Sequence, residues 1–272
     1  MSRRLRLDAE LVRRGLARSR DHASSLIEQR LVTVGGTVAM KPATGVTTDQ
    51  AIVVKDDHDP GYASRGAYKL LGALNVFKPQ GLTIEGKRCL DAGASTGGFT
   101  DILLREGAKC VCAVDVGYGQ LVWALQSDER VHVLDRTNVR TLTPADIGGP
   151  VELVVSDLSF ISLTVVMPAL TAVCEPEGDV VLMIKPQFEV GKSNLGKKGV
   201  VRDPDQHAEA VLKVCHSAYD LGWGTHSLAP SPLPGPAGNV EYFCWLRRGA
   251  PVPTRDSVDD VIAAGPLAAR IS

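Results

Sequence analysis

The chain has 272 residues, 44% hydrophobic and 22% charged, with a formal net charge of −1, which is ordinary for a soluble globular protein of one or two domains. No apolar run approaches the roughly 20 residues that span a bilayer, and the start, Met1-Ser2-Arg3-Arg4-Leu5-Arg6, lacks the apolar stretch of about 7 to 15 residues of a secretory signal, so no membrane partner and a cytoplasmic location are expected. The six cysteines (Cys89, Cys110, Cys112, Cys174, Cys215, Cys244) show no Cys-x-x-Cys or His-bearing spacing; they read as reduced thiols, and no metal is expected.

Charge is divided unevenly along the chain. Residues 1–48 hold nine basic against four acidic side chains, a net of +5, while the remainder holds 21 against 27, a net of −6. A small arginine-rich unit joined to an acidic body suits one module that contacts phosphates and another that acts on a small ligand, with a merely solvated arginine face as the alternative. Leu7, Leu11 and Val12 recur at helical spacing, Gly15 stops that helix, and Ser19 is placed to cap a second one carrying Ala23, Leu26 and Ile27. Leu31–Val34, the Gly35-Gly36 turn and Thr37–Met40 read as a β-hairpin, with a later strand at Ala51–Val54.

Arg6-Leu7-Asp8 through Leu11-Val12, Gly15-Leu16-Ala17-Arg18-Ser19-Arg20, Ala23 and Val32-x-Val34-Gly35-Gly36 resemble the RNA-binding fold named after ribosomal small-subunit protein four. That resemblance implies that the helix pair and hairpin grip structured RNA. Carried over, it makes Arg4, Arg6, Arg18, Arg20 and Lys41 candidate phosphate contacts.

The polar stretch Lys55–Ala63, broken by Pro60-Gly61, marks a boundary, giving an RNA-binding domain at 1–58, a linker at 59–63 and a second domain at 64–272. In that second domain strands are expected at 88–92, 109–115, 131–134, 151–156, 179–184, 223–229 and 240–247, and helices at 97–106, 119–126, 161–170 and about 205–221. Such alternation implies a largely parallel, doubly wound sheet whose ligands bind beyond the carboxyl ends of the strands. The stretch Gly249–Ser257 is a candidate for disorder, ahead of a last helix carrying Val258 and Ile262.

After the first of these strands comes Asp91-Ala92-Gly93-Ala94-Ser95-Thr96-Gly97-Gly98-Phe99, a small-residue turn that lets a ligand approach the backbone. It lacks the glycine spacing of a dinucleotide fingerprint and the Lys-Ser/Thr of a P-loop. The next strand ends at Asp115, placed for ribose hydroxyls and unfavourable to a phosphate, and Asp135 follows the third strand, where it meets an adenine end or caps the next segment. The pattern resembles the S-adenosylmethionine site of methyltransferases, which implies Asp91, Gly93, Ser95, Thr96, Gly97, Gly98, Phe99, Asp115 and Asp135 as cofactor-binding residues.

The sequence narrows the methylated atom. The position of an Asn/Asp-Pro-Pro-Tyr/Phe motif, associated with base amines, reads Asp157-Leu158-Ser159-Phe160, and no Pro-Cys dipeptide offers a nucleophile for pyrimidine carbon five. Instead Asp157, Lys185 and Glu241 each end or begin an apolar run, and Lys69 lies on a helix that Ser64 is placed to cap. Buried singly, such charges cost several kcal/mol each, so they should converge and pair. This Lys-Asp-Lys-Glu set matches the tetrad of ribose 2′-O-methyltransferases. Ser64-Arg65-Gly66-Ala67-Tyr68-Lys69-Leu70, Asp157-Leu158-Ser159-Phe160-Ile161-Ser162 and Lys185-Pro186-Gln187-Phe188-Glu189-Val190-Gly191 resemble the TlyA (hemolysin A-like) family over nearly the whole chain.

The resemblance implies an α/β fold: a Rossmann-like S-adenosylmethionine-dependent methyltransferase domain with a small N-terminal α+β RNA-binding domain. It also implies in-line methylation of a cytidine 2′-hydroxyl in small- and large-subunit ribosomal RNA within ribosomal subunits, Lys185 removing or steering the hydroxyl proton. Lys69, Asp157 and Glu241 complete the catalytic set, Arg65 joins the RNA contacts, and susceptibility to capreomycin-type antibiotics follows. The rival readings are a catalytically inactive ribosome assembly factor and a haemolysin.

Overall fold

The computed structural model describes residues 4–17, 19–55, 61–191, 195–196 and 199–267, in two units, Met1–Gly61 and Tyr62–Ser272. In the first, β1 (Leu5–Arg6) runs into α1 (Leu7–Arg13), and α2 (Arg20–Glu28) follows Ser19, whose hydroxyl accepts from the His22 amide at 3.1 Å. β2 (Val32–Val34) and β3 (Thr37–Val38) form the expected hairpin; Gly35 and Gly36 turn it at φ +56° and +81°, left-handed values that a two-residue loop of this kind requires. β4 (Gly45–Val46) pairs with β1 and β5 (Ile52–Val54) with β2, both antiparallel. Leu7, Leu11, Ala23, Leu26, Ile27 and Val32 form the core beneath them. The β1–β4 ribbon escaped sequence reading because two residues carry no period.

The second unit contains α3 (Gly66–Phe77), β6 (Arg88–Ala92), α4 (Gly98–Arg105), β7 (Cys110–Val114), α5 (Trp123–Gln126), β8 (Val131–Leu134), β9 (Val151–Ser156), α6 (Leu163–Ala172), β10 (Cys174–Ile184), α7 (Pro186–Glu189), α8 (Pro204–Tyr219), β11 (Trp223–Pro230), β12 (Tyr242–Arg248) and α9 (Arg255–Ala264). Its seven-stranded sheet has the order β11-β12-β10-β9-β6-β7-β8. β8, β7, β6, β9 and β10 are parallel, and β12 is antiparallel to both of its neighbours. Leu90, Ala92, Cys112 and Val114 pack with α6, α8 and α9, whereas Cys89, Val111 and Ala113 pack with α3 and α4. A sheet covered on both faces needs apolar residues at consecutive positions, hence continuous runs such as Val180–Ile184.

Several expectations are corrected. The helix expected at 119–126 is confined to Trp123–Gln126, because the Asp115 and Asp135 carboxylates accept from the Gly117 and Gly119 amides and hold the preceding residues in a loop. β10 begins earlier than expected, at Cys174, and takes in Pro176 and Gly178 through a register shift between Cys174 and Asp179. Ser64 is not the N-cap of α3, which is Arg65; its hydroxyl accepts from the Gly66 amide at 3.2 Å. Residues 249–257 are ordered against β11: Thr225 donates its amide to the Pro251 carbonyl at 2.8 Å, and the Thr254 hydroxyl caps α9. Among the described residues, no helix is long and apolar enough to cross a membrane.

Candidate active site

Strand order reverses between β6 and β9, where open α/β sheets form their ligand crevices at the carboxyl ends. Ala92 pairs with Ser156, Ser156 with Leu182, and Ile184 with Tyr242, so the residues just beyond them, Gly93, Asp157, Lys185 and Glu241, share one end of the sheet. A cavity of about 570 Å³ opens there, lined by Lys69, Asp157, Ser159, Lys185 and the glycine-rich loop.

The four expected charges resolve into two ion pairs. Lys69 Nζ donates to Glu241 Oε2 at 2.6 Å and reaches Met183 Sδ at 3.8 Å. Lys185 Nζ donates to Ser159 Oγ at 2.8 Å and lies 2.6 Å from Asp157 Oδ1 without hydrogen-bond geometry. Asp157 Oδ1 is buried, with the Lys185 ammonium against it as its ion-pair partner. Lys69, Asp157 and Lys185 line the cavity, while buried Glu241 borders a second cavity beside it.

Gly93, Ser95, Thr96, Gly98 and Phe99 line the first cavity. A Cβ on Gly93 would lie 2.8 Å from the Asp157 carbonyl oxygen, and one on Gly98 2.4 Å from Ser64 Oγ, so glycine lets this loop close on both neighbours. Gly97 faces away: its Cβ would lie 2.3 Å from Leu125 Cδ1. Three of the expected acids are not among the residues that line this cavity. Asp115 accepts from the Ser95 and Gly117 amides at 2.9 and 2.7 Å, and Asp135 from the Gly119 amide at 2.9 Å. Asp91 belongs to β6 itself, so its side chain enters the buried layer, where it accepts from Thr100 Oγ1 at 2.7 Å and burial pushes its carboxyl up to about 7.

The second cavity, of about 560 Å³, shares Ser159, Lys185, Gly235 and Pro236 with the first and adds Phe160, Gln187, Phe188 and Glu241. Phe160 is 91% exposed at φ +65°, with its ring centroid 5.4 Å from that of Phe188. Sequence reading assigned no role to Ser159, Phe160 or the Leu233-Pro234-Gly235-Pro236 wall. The proline density of that wall, at the strand end that precedes Glu241, was its available signal. Glu189 was also missed: buried, it accepts from Ser162 Oγ at 2.5 Å and the Leu163 amide at 2.7 Å, tying the loop after β9 to the turn after Lys185.

Of the expected RNA contacts, Arg4, Arg6, Arg20 and Lys41 are exposed on the first unit, and Arg18 lies outside the described residues. Arg65, also exposed, lines the first cavity of the second unit. Among the described residues, no group of three or more His, Cys, Asp or Glu side chains could hold a metal ion.

Residues 62–248 match the model of the FtsJ-like methyltransferases. The chain belongs to that family. Residues 5–52 match the S4 domain. The chain is 56% identical over 247 residues to the 16S/23S rRNA (cytidine-2'-O)-methyltransferase TlyA of Mycobacterium tuberculosis, covering 91% of each chain. It is 38% identical to the 23S rRNA (cytidine-2'-O)-methyltransferase TlyA of Campylobacter jejuni, covering 68% of this chain and 70% of that one. A solved structure described as a hemolysin, from Streptococcus thermophilus, has 35% identity and a TM-score of 0.76 over 97% of this chain and 96% of its own. The FtsJ-like domain thus carries the α/β fold expected, with an RNA-binding type of domain before it.

Proposed function

We propose that this methyltransferase family member methylates the ribose 2′-hydroxyl of cytidine in ribosomal RNA, in small and large subunits, with S-adenosylmethionine as donor. The observation that carries the reading is the pairing of Lys69 with Glu241 and of Lys185 with Asp157 at one end of the sheet, against the glycine-rich loop. The names of the M. tuberculosis and C. jejuni relatives support the target.

The residues present fit the donor. A cavity of about 570 Å³ is the right scale for a small cofactor, and its loop side is built of small residues, with Gly93 and Gly98 packed too closely on their neighbours to carry a side chain. Gly93, Ser95, Thr96, Gly98 and Phe99 would hold it, with Asp115 at the ribose hydroxyls, Asp135 at the adenine end and Asp91 supporting the loop from the buried layer. When bound, S-adenosylmethionine supplies an electrophilic sulfonium methyl. Lys185, oriented by Ser159 and Asp157, holds the acceptor hydroxyl and takes or steers its proton. Glu241 fixes Lys69 at the lining of the first cavity. The second cavity, with Phe160 and Phe188 on its rim, receives the acceptor nucleoside beside Lys185. Arg4, Arg6, Arg18, Arg20 and Lys41 contact RNA phosphates on the S4 domain, and Arg65 does so beside the site. Methylation of this kind also alters susceptibility to capreomycin-type antibiotics.

The test is transfer of labelled methyl from S-adenosylmethionine to small and large ribosomal subunits separately, with products mapped by ribose-methylation-sensitive reverse transcription. Stops at cytidines that vanish with Lys185→Ala are expected. No transfer to either subunit despite cofactor binding would favour an inactive assembly factor instead.

A further inference from the structure

Two buried carboxylates on α1 each hold a pair of arginines, and the pairs differ in what remains available. Glu10 accepts from Arg13 and Arg14, but Arg14 also donates to the carbonyl oxygens of Thr47, Thr48 and Gln50, so its guanidinium is committed to that turn. Asp8 accepts from Arg6 Nε at 3.1 Å and Nη2 at 2.9 Å, from Arg20 Nη2 at 2.9 Å, and from the Ala9 amide at 2.8 Å. Its side chain is 5% exposed, whereas those of Arg6 and Arg20 are 53% and 59% exposed. A single carboxylate thus joins the residue that precedes α1 to the first residue of α2. Among the described residues neither guanidinium has another hydrogen-bond acceptor. Each guanidinium carries about five N–H groups, so both keep donors for a phosphate.

We propose that Asp8 is a positioning residue for RNA binding, holding Arg6 and Arg20 side by side as one phosphate fork. This rests on the reading of Arg6 and Arg20 as RNA contacts. An untethered arginine gives up rotamer freedom when it binds; one tied to Asp8 has already given it up on folding. The carboxylate's own charge opposes a phosphate, so Asp8 assists through geometry alone. The proposal therefore has a sign that simple electrostatics reverses. Neutralising Asp8 makes the patch more positive, which by itself would tighten binding and steepen its salt dependence. Loss of the fork does the opposite.

The test measures binding of the full chain to purified large ribosomal subunits, the target that both named relatives share, across a range of salt concentrations, with thermal melts alongside. Asp8→Asn keeps the side chain's size and an acceptor for the Ala9 amide. Arg20→Ala is expected to weaken binding roughly five- to tenfold near 0.1 M salt and to lower the log–log salt slope by about 1. Asp8→Asn should do the same, and the double variant should add little. Asp8→Glu, which preserves charge but shifts the fork by one methylene, should also lose affinity, and it decides the matter if Asp8→Asn fails to fold. Wild-type or tighter binding by Asp8→Asn or Asp8→Glu, with Arg20→Ala impaired, overturns the fork. Undiminished binding by both Arg6→Ala and Arg20→Ala overturns the underlying RNA-contact reading instead.

Discussion

Asp179, midway along β10, and Lys185, just beyond its carboxyl end, each belong to a buried ion network. At Asp179, 1% exposed, Oδ1 accepts from Trp245 Nε1 at 2.8 Å and Arg247 Nε at 2.6 Å, and Oδ2 from Lys87 Nζ at 2.8 Å. Burial pushes that carboxyl up, but the bonds from Arg247, Lys87 and Trp245 outweigh it and leave the group below its ordinary value. Both oxygens are matched by donors. Beyond the carboxyl end of the strand, Lys185 is paired with Asp157 Oδ1 at 2.6 Å, and both residues line a cavity of about 570 Å³. Buried charge is common to both. What separates the candidate site from a clasp is that its paired charges line a space that a ligand can enter.

Exchanging the two losses tests this contrast most strongly. Lys185→Ala should lower methyl transfer by roughly 10²- to 10⁴-fold, the usual worth of a positioned proton carrier, with little change in the thermal melt. Asp179→Ala should do the reverse. Stranding Lys87 and Arg247 should cost roughly 2–4 kcal/mol in denaturant unfolding, reduced from a fully buried pair because both cations are partly solvated, while turnover per folded molecule stays close to wild type. Loss of turnover in Asp179→Ala at unchanged stability would break the comparison.

The pH dependence of stability sharpens it further. Asp91 has a folded value of about 7 against an ordinary 3.8, so the folded chain binds its proton more tightly and stability falls as pH rises across that window. Asp179 has the opposite sign: its contribution is present above 3.8 and is lost as pH falls through its lower folded value. Urea titrations at several pH values should show the downward slope between about pH 4 and 7 disappear in Asp91→Asn and persist in Asp179→Asn; persistence in Asp91→Asn would refute the assignment. The smallest effect is at Ser159. Ser159→Ala removes one hydrogen bond to Lys185 and should lower kcat roughly 2- to 10-fold with KM for the donor unchanged. A kcat equal to wild type would leave Lys185 oriented by Asp157 alone.

Much of the fold was legible because apolar runs such as Cys110–Val114 and Val151–Ser156 end at glycines or charges, and those charges mark the candidate site. Lys185 and Asp157 stood out as ions at the edge of continuous apolar strands. Other features left no local trace. Whether Asp91 touches a ligand depends on its being the last residue but one of β6, which turns it into the buried layer. Ser159 and Phe160 follow Asp157 with no period or charge to single them out, and their place at the cavities emerges only when β9 and β10 come side by side. α5 is shorter than its apolar spacing implied because two carboxylates hold the amides of the loop before it. Tertiary partners decided each of these.

The most direct test of the central assignment is the yield of 2′-O-methylcytidine, measured by mass spectrometry of nucleosides digested from ribosomal RNA after subunits are treated with wild type, Lys185→Ala or Asp179→Asn, with donor affinity measured by calorimetry. Wild type and Asp179→Asn should produce the modified nucleoside, and Lys185→Ala should produce none while binding the donor normally. Formation by Lys185→Ala at the wild-type rate would contradict the assignment of the carboxyl end of β10 as the centre of methyl transfer.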